Sequence, residues 1–135
     1  MKPYGNKLNN FIKALHKLEE GLLQYDGKNE LLRDGLIQRF EFTFKLAWKT
    51  LKEVFEDEGL IGLNSPKSVL REAFSAGLIK DEKLWINMLK DRNLTSHMYS
   101  ESISIEIGKN IKDKYVNALN ELKDKIVERM RKYTK

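Results

Sequence analysis

The sequence predicts an all-α fold, an up-and-down antiparallel bundle of about four principal helices with one short connecting helix. Three observations predict it. Apolar residues recur every three or four positions through most of the 135 residues. The two prolines and eight glycines are few, and those in the body of the chain fall mainly at joints. No segment shows the strict alternation of a half-buried strand.

The first helix is expected from about Asn6 to Tyr25, where Leu8, Phe11, Ile12, Leu15, Leu18 and Leu22 share one face. Asp26-Gly27-Lys28-Asn29 is a turn that ends it. The second helix is long, about Glu30 to Glu58. Leu36, Phe40, Phe44, Ala47, Leu51 and Phe55 form its main stripe, and Ile37, Phe42 and Trp48 widen it, so it belongs at the centre. Gly59 stops it, and Leu60 to Asn64 form a loop.

Ser65-Pro66 starts the short helix, with a hydroxyl cap and then proline in the first helical position. Val69, Leu70, Ala73 and Phe74 follow, and Gly77 ends it. Asp81 can cap the next helix, which carries Leu84, Trp85, Met88 and Leu89. A polar stretch runs from Asp91 through Ser104. The last helix covers about Ser102 to Arg131, with a seam of Ile103, Ile107, Ile111, Tyr115, Ala118, Leu122 and Ile126.

The chain is expected to form a single domain over residues 1–135. It is 41% hydrophobic and 33% charged, which fits a charged-surface helical protein rather than a disordered one. It has no cysteine, which excludes disulfides and thiolate metal sites and agrees with an expected cytoplasmic location. No apolar run approaches a membrane span, and Met1-Lys2-Pro3-Tyr4 lacks the apolar core of a signal peptide. The net charge of +5 is compatible with nucleic acid. Excess basic residues gather at the C-terminus, and a solvated helix end accounts for them more simply than a phosphate-binding surface does. Helices of ~30 residues span about 45 Å, long for so small a domain, so their apolar faces can continue into a dimer interface.

There is no glycine-rich phosphate loop and no His-x-x-x-His pair, and no metal or cofactor is expected. His16 reads as a surface histidine. The concentrated chemistry is Asp91-Arg92-Asn93-Leu94-Thr95-Ser96-His97-Met98-Tyr99. Histidine exchanges protons near neutral pH, and arginine holds phosphate bidentately. Together they can cleave a phosphodiester, His97 moving a proton and Arg92 stabilising charge on phosphorus. Spacing limits this reading. Residues five apart lie ~140° apart on an unbroken helix, so Arg92 and His97 would diverge while Asn93 and His97 share a face. The helix must end in the segment, or the arginine must reach round, or a second copy must complete the site. A second polar cluster, Arg33, Asp34, Gln38, Arg39 and Glu41, lies on the second helix. It reads as an interhelical salt-bridge network able to support Arg92, or alternatively as a cleft lining.

These segments resemble the nucleotidyltransferase substrate-binding protein family. The resemblance rests on Arg33-Asp34-Gly35-Leu36-Ile37-Gln38-Arg39-Phe40-Glu41-Phe42 through Lys49, on Ser65-Pro66, on Arg71-Glu72-Ala73-Phe74 and Ala76-Gly77-Leu78-Ile79, and on Trp85, Met88 and Asp91 to His97. That family is similar to the wider HEPN group, in which Arg, four residues, then His-x-Tyr marks many ribonucleases. Arg92, His97 and Tyr99 match without a gap. The resemblance implies a homodimer and a cognate minimal nucleotidyltransferase as partner. It implies a metal-independent RNA-cleaving toxin, with Arg92 on phosphate and His97 as general acid/base. Tyr99 would be a possible adenylylation target, and Asp91 and Asn93 supporting residues. It equally supports a non-catalytic subunit that binds a nucleotide for the nucleotidyltransferase.

Overall fold

The computed structural model describes residues 3–95 and 100–133 of the chain. Helix α1 spans Pro3–Gln24, α2 Glu30–Asp57, α3 Pro66–Ser75 and α4 Glu82–Thr95. The final helix is continuous but has three parts: α5 (Glu101–Asn110), a π-helical turn (Ile111–Tyr115) and α6 (Val116–Tyr133). Among the described residues there is no strand, as expected from the periodicity.

Local chemistry sets most boundaries. Asp26 Oδ1 accepts from the backbone N–H groups of Lys28 and Asn29 at 2.8 Å each, closing the turn between α1 and α2. Those bonds hold the Asp26 carboxyl below its ordinary range. Asn29 then caps α2 by accepting from Leu32 N–H at 3.0 Å. Helices α2 and α3 end alike. Gly59 and Gly77 take φ of +95° and +78°, which a side chain would resist. Leu60 N–H donates to Phe55 O at 2.8 Å, and Leu78 N–H to Ala73 O at 2.9 Å, the outer bonds of two Schellman motifs. Ser65 and Ser68 form a reciprocal capping box around Pro66. Asp81 Oδ1 accepts from Leu84 N–H at 3.1 Å, which makes it the cap anticipated for α4.

The helices alternate in direction. Lys7 near the start of α1 pairs with Glu53 near the end of α2 at 3.0 Å. Arg129 near the end of α6 makes a bidentate pair with Glu58, two contacts of 2.7 Å, so the final helix runs parallel to α2. Phe11, Leu15 and Leu18 of α1 and Leu36, Phe40, Phe44 and Leu51 of α2 are almost completely buried. Leu70, Met88, Ile111, Leu119 and Ile126 complete the core from the other helices. The Phe44 ring lies 6.2 Å from Trp85, and Phe40 stacks on Tyr115 at 5.2 Å. The arrangement is the all-α bundle expected, with α3 as the short connecting helix.

Two aromatic residues depart from expectation. Phe42 is 57% exposed, because two steps from Phe40 and two from Phe44 place it on the opposite side of α2. Phe74 is 44% exposed, since Val69, Leu70 and Ala73 already face inward and the next residue turns away by ~100°. Helix α4 also extends into the polar stretch, so Asp91 to Thr95 are helical. No helix of the described residues is long and apolar enough to cross a membrane.

Candidate functional site

The last turns of α4 present two chemically different faces. Asp91 turns inward. Its Oδ2 accepts from the Tyr115 hydroxyl at 2.5 Å and from Asn110 Nδ2 at 3.4 Å. Tyr115 is buried, and burial followed by the adjacent Asp91 carboxylate pushes its phenol well above its ordinary pKa. The hydroxyl therefore keeps its proton and stays a donor. The π turn explains how both partners reach one carboxylate. Asn110 and Tyr115 are five apart and would diverge by ~140° on an α-helix, whereas i→i+5 bonding brings such residues toward one face. Val116 N–H donates to Ile111 O in that pattern. Asp91 thus anchors α4 to the final helix and positions its neighbours.

Arg92 and Asn93 face the other way. They line a groove of about 500 Å³ between α2, the start of α3 and α4. Phe44, Trp48, Pro66 and Leu89 supply apolar wall, and Lys45, Lys49 and Lys67 add three further cations. Among the described residues, no acidic one lines it. Trp48 is half-buried, with Lys49 Nζ 5.9 Å from its ring centroid. Arg92 is half-buried and Asn93 exposed. A guanidinium, three ammonium groups and an indole around one groove suit a phosphorylated ligand with an aromatic base.

His97 and Tyr99 lie outside the described residues. The described part of α4 closes at Thr95, two positions before His97.

Two members of the polar cluster of α2, Arg33 and Arg39, serve the joint between α1 and α2. Arg33 is 2% exposed and sits on the inner face of α2. Its Nε donates to the Tyr25 hydroxyl at 2.8 Å and its Nη2 to Lys28 O at 3.3 Å. The Tyr25 bond raises its pKa further, so it is a permanent buried cation. Among the described residues it makes no carboxylate ion pair, and its Nη1 has no hydrogen-bond partner. It ties the end of α1 to the start of α2, away from the Arg92 groove. Arg39 likewise fastens α2 to α1, donating from Nη1 to Lys17 O at 2.6 Å. Asp34 and Gln38 are exposed and Glu41 is half-buried. These three continue the stripe that carries Lys45 and Trp48, but none lines the groove itself.

Sequence reasoning missed Tyr115, Asn110, Lys45, Lys49 and Lys67 as parts of this region. The lysines carry no motif, and only the packing of three helices brings them beside Arg92. Tyr115 reads in the sequence as one more seam residue. Among the described residues, no group of three or more His, Cys, Asp or Glu converges in a way that could hold a metal ion.

Comparison with known proteins identifies the family of the chain. Residues 6–128 match the family described as nucleotidyltransferase substrate binding protein like. A Haemophilus influenzae protein named "Probable ribonuclease HepT" is 31% identical, with the match covering 78% of this chain and 82% of the relative. A crystal structure of a Thermus thermophilus protein is 38% identical with a TM-score of 0.74, covering 83% of this chain and 94% of that one. A Haemophilus influenzae structure, described as revealing the fold of a substrate binding domain of a nucleotidyltransferase, is 29% identical with a TM-score of 0.75, covering 87% of this chain and 97% of that one. The inward anchor at Asp91 and the basic groove at Arg92 therefore belong to a member of the nucleotidyltransferase substrate-binding protein family.

Proposed function

We propose that the protein is a HEPN-type endoribonuclease toxin, acting without a metal ion and neutralised by a cognate minimal nucleotidyltransferase. The observation that carries the reading is the position of Arg92. It opens onto a groove of cations and indole five residues before His97, in a chain whose relative is named "Probable ribonuclease HepT". In this reading a 2′-hydroxyl gives its proton to His97 while the 2′-oxygen attacks the adjacent phosphorus. The bond to the 5′-oxygen breaks, and that oxygen leaves with a proton from an imidazolium. The products are a 2′,3′-cyclic phosphate and a 5′-hydroxyl. Arg92 stabilises the charge that builds on the phosphoryl oxygens. Asp91, held by Tyr115, is a positioning residue, and Asn93 a polar contact in the groove. The two proton transfers are supplied by the His97 side chains of a homodimer or by one His97 in turn. Adenylylation of Tyr99 by the nucleotidyltransferase would set a bulky anion near Arg92 and block the groove electrostatically.

The test is cleavage of RNA in EDTA by purified protein, with the 3′ ends analysed. Wild type leaves cyclic phosphate, and His97→Ala loses roughly 10²–10⁴-fold of the rate. If His97→Ala cleaves and arrests growth as well as wild type, the reading is wrong.

One observation favours a second reading. The Haemophilus structure is described as a substrate binding domain of a nucleotidyltransferase. The same groove would then hold a nucleotide for the partner enzyme, with no chemistry at His97. Expression without the nucleotidyltransferase separates the two, since an accessory subunit arrests nothing.

A further inference from the structure

The Arg92 groove does not stop at Lys67. That lysine also lines a second groove, of about 440 Å³, between α3 and α4. Its other charged side chains are Arg71, Lys83, Lys90 and Glu82. Among the described residues, the two grooves together are lined by seven cationic side chains and one acidic one, Glu82, whereas the whole chain has 25 basic and 20 acidic residues. The imbalance is therefore local, and the modest net charge conceals it.

These charges are also solvent-facing. Lys67, Arg71, Lys83 and Lys90 are exposed, and among the described residues none of them is in an ion pair or a hydrogen bond. Helical spacing lines them up. Lys67 and Arg71 are four apart on α3, and Lys83 and Lys90 are two turns apart on α4, ~10.5 Å along its axis. The path ends in the groove where Trp48 and Pro66 offer flat apolar surface beside Lys45 and Lys49. A row of uncompensated cations leading to an aromatic wall is how single strands are tracked, phosphates on the charges and bases on the ring.

We propose that the face formed by α3 and α4, from the Arg92 groove through Lys67 to Arg71, Lys83 and Lys90, binds the backbone of single-stranded RNA. This rests on the ribonuclease reading of the groove and extends it. The substrate is a strand several nucleotides long, held on one side of the cleavage point. Duplex RNA fits less well, since its bases are stacked away from Trp48.

The experiment measures anisotropy of a fluorescein-labelled unstructured RNA of about 20 nucleotides on full-length His97→Ala protein, so that cleavage plays no part. In that background Arg71→Gln, Lys83→Gln and Lys90→Gln are combined. A control combines Lys13→Gln, Lys17→Gln and Lys114→Gln, which remove the same charge from exposed positions on other helices. Each phosphate contact contributes ~0.7 to the slope of log K against log salt for a single strand. The path variant should lower that slope by about 2 and weaken binding roughly 100-fold at about 0.1 M salt, with the control near the parent. Equal affinity in the path variant and the parent overturns the proposal. So does equal loss in the control, or no RNA binding by the parent. If the path variant keeps RNA but no longer co-purifies with the nucleotidyltransferase, the face is a protein-docking surface instead. Cleavage is scored separately, on the wild-type protein with the same RNA. Binding without any cleavage by wild type would remove the ribonuclease reading while leaving the RNA path in place.

Discussion

Asp91 and Arg92 are neighbours in the chain with opposite tasks. The Tyr115 hydroxyl and Asn110 hold Asp91 against the final helix, and this fixes which way Arg92 points. Removing the hydroxyl with Tyr115→Phe leaves a half-buried carboxylate short of a donor. Chemical denaturation should show a loss of about 1.5–3 kcal/mol, the usual range for a hydrogen bond to a charged group. The sign of its pH dependence follows from the raised phenol pKa. Between the unfolded value near 10 and the higher folded value, the native state holds the proton and the unfolded state does not. The stabilisation from Tyr115 is thus complete below about pH 10 and lost as pH rises above it. Wild type and Tyr115→Phe should converge in stability there, which a denaturation series from pH 8 upward would read. Arg92→Ala should behave differently. It should cost the proposed cleavage about 10²–10³-fold, because a charge-stabilising donor is lost at the phosphate.

Among the elements, the π turn and the cap of α3 decide the site. The π turn brings Asn110 and Tyr115 to Asp91, and with it the groove wall made by α4. Helix α3 is short, ten residues, and its start forms the opposite lip of the groove. Its capping box is worth about 1 kcal/mol, so Ser65→Ala should destabilise by roughly that amount in urea. Helix α3 joins both grooves through Lys67, so the same variant should also weaken the proposed RNA binding, read by anisotropy. Neither element could be inferred fully from spacing. Ser65-Pro66 announces its helix openly, because caps depend on residues adjacent in sequence. A π turn carries no such mark. Its reason is a partner nineteen or more residues away, as the bonds from Asn110 and Tyr115 to Asp91 show.

For the whole molecule, stability rests on the α2 aromatic column. Phe40 is fully buried between Phe44 and Tyr115, and Phe40→Ala should cost about 3–5 kcal/mol. Phe74→Ala should cost well under that in the same denaturation assay, since Phe74 leaves 44% of its surface exposed. The difference between the two phenylalanines tests the inward and outward assignment directly. Helical periodicity, turns and caps are properties of neighbouring residues, and the sequence by itself determined the helices, most of their ends and the all-α bundle. It also marked Asp91 to Tyr99 as the candidate segment for chemistry. Only the tertiary structure decided that Arg33 is a buried tie to Tyr25 rather than a cleft residue, that Asp91 is an anchor, and that Lys45, Lys49 and Lys67 gather beside Arg92. The physical reason is that burial, orphaned charge and local potential depend on distances between helices, and no periodicity along one chain encodes those distances.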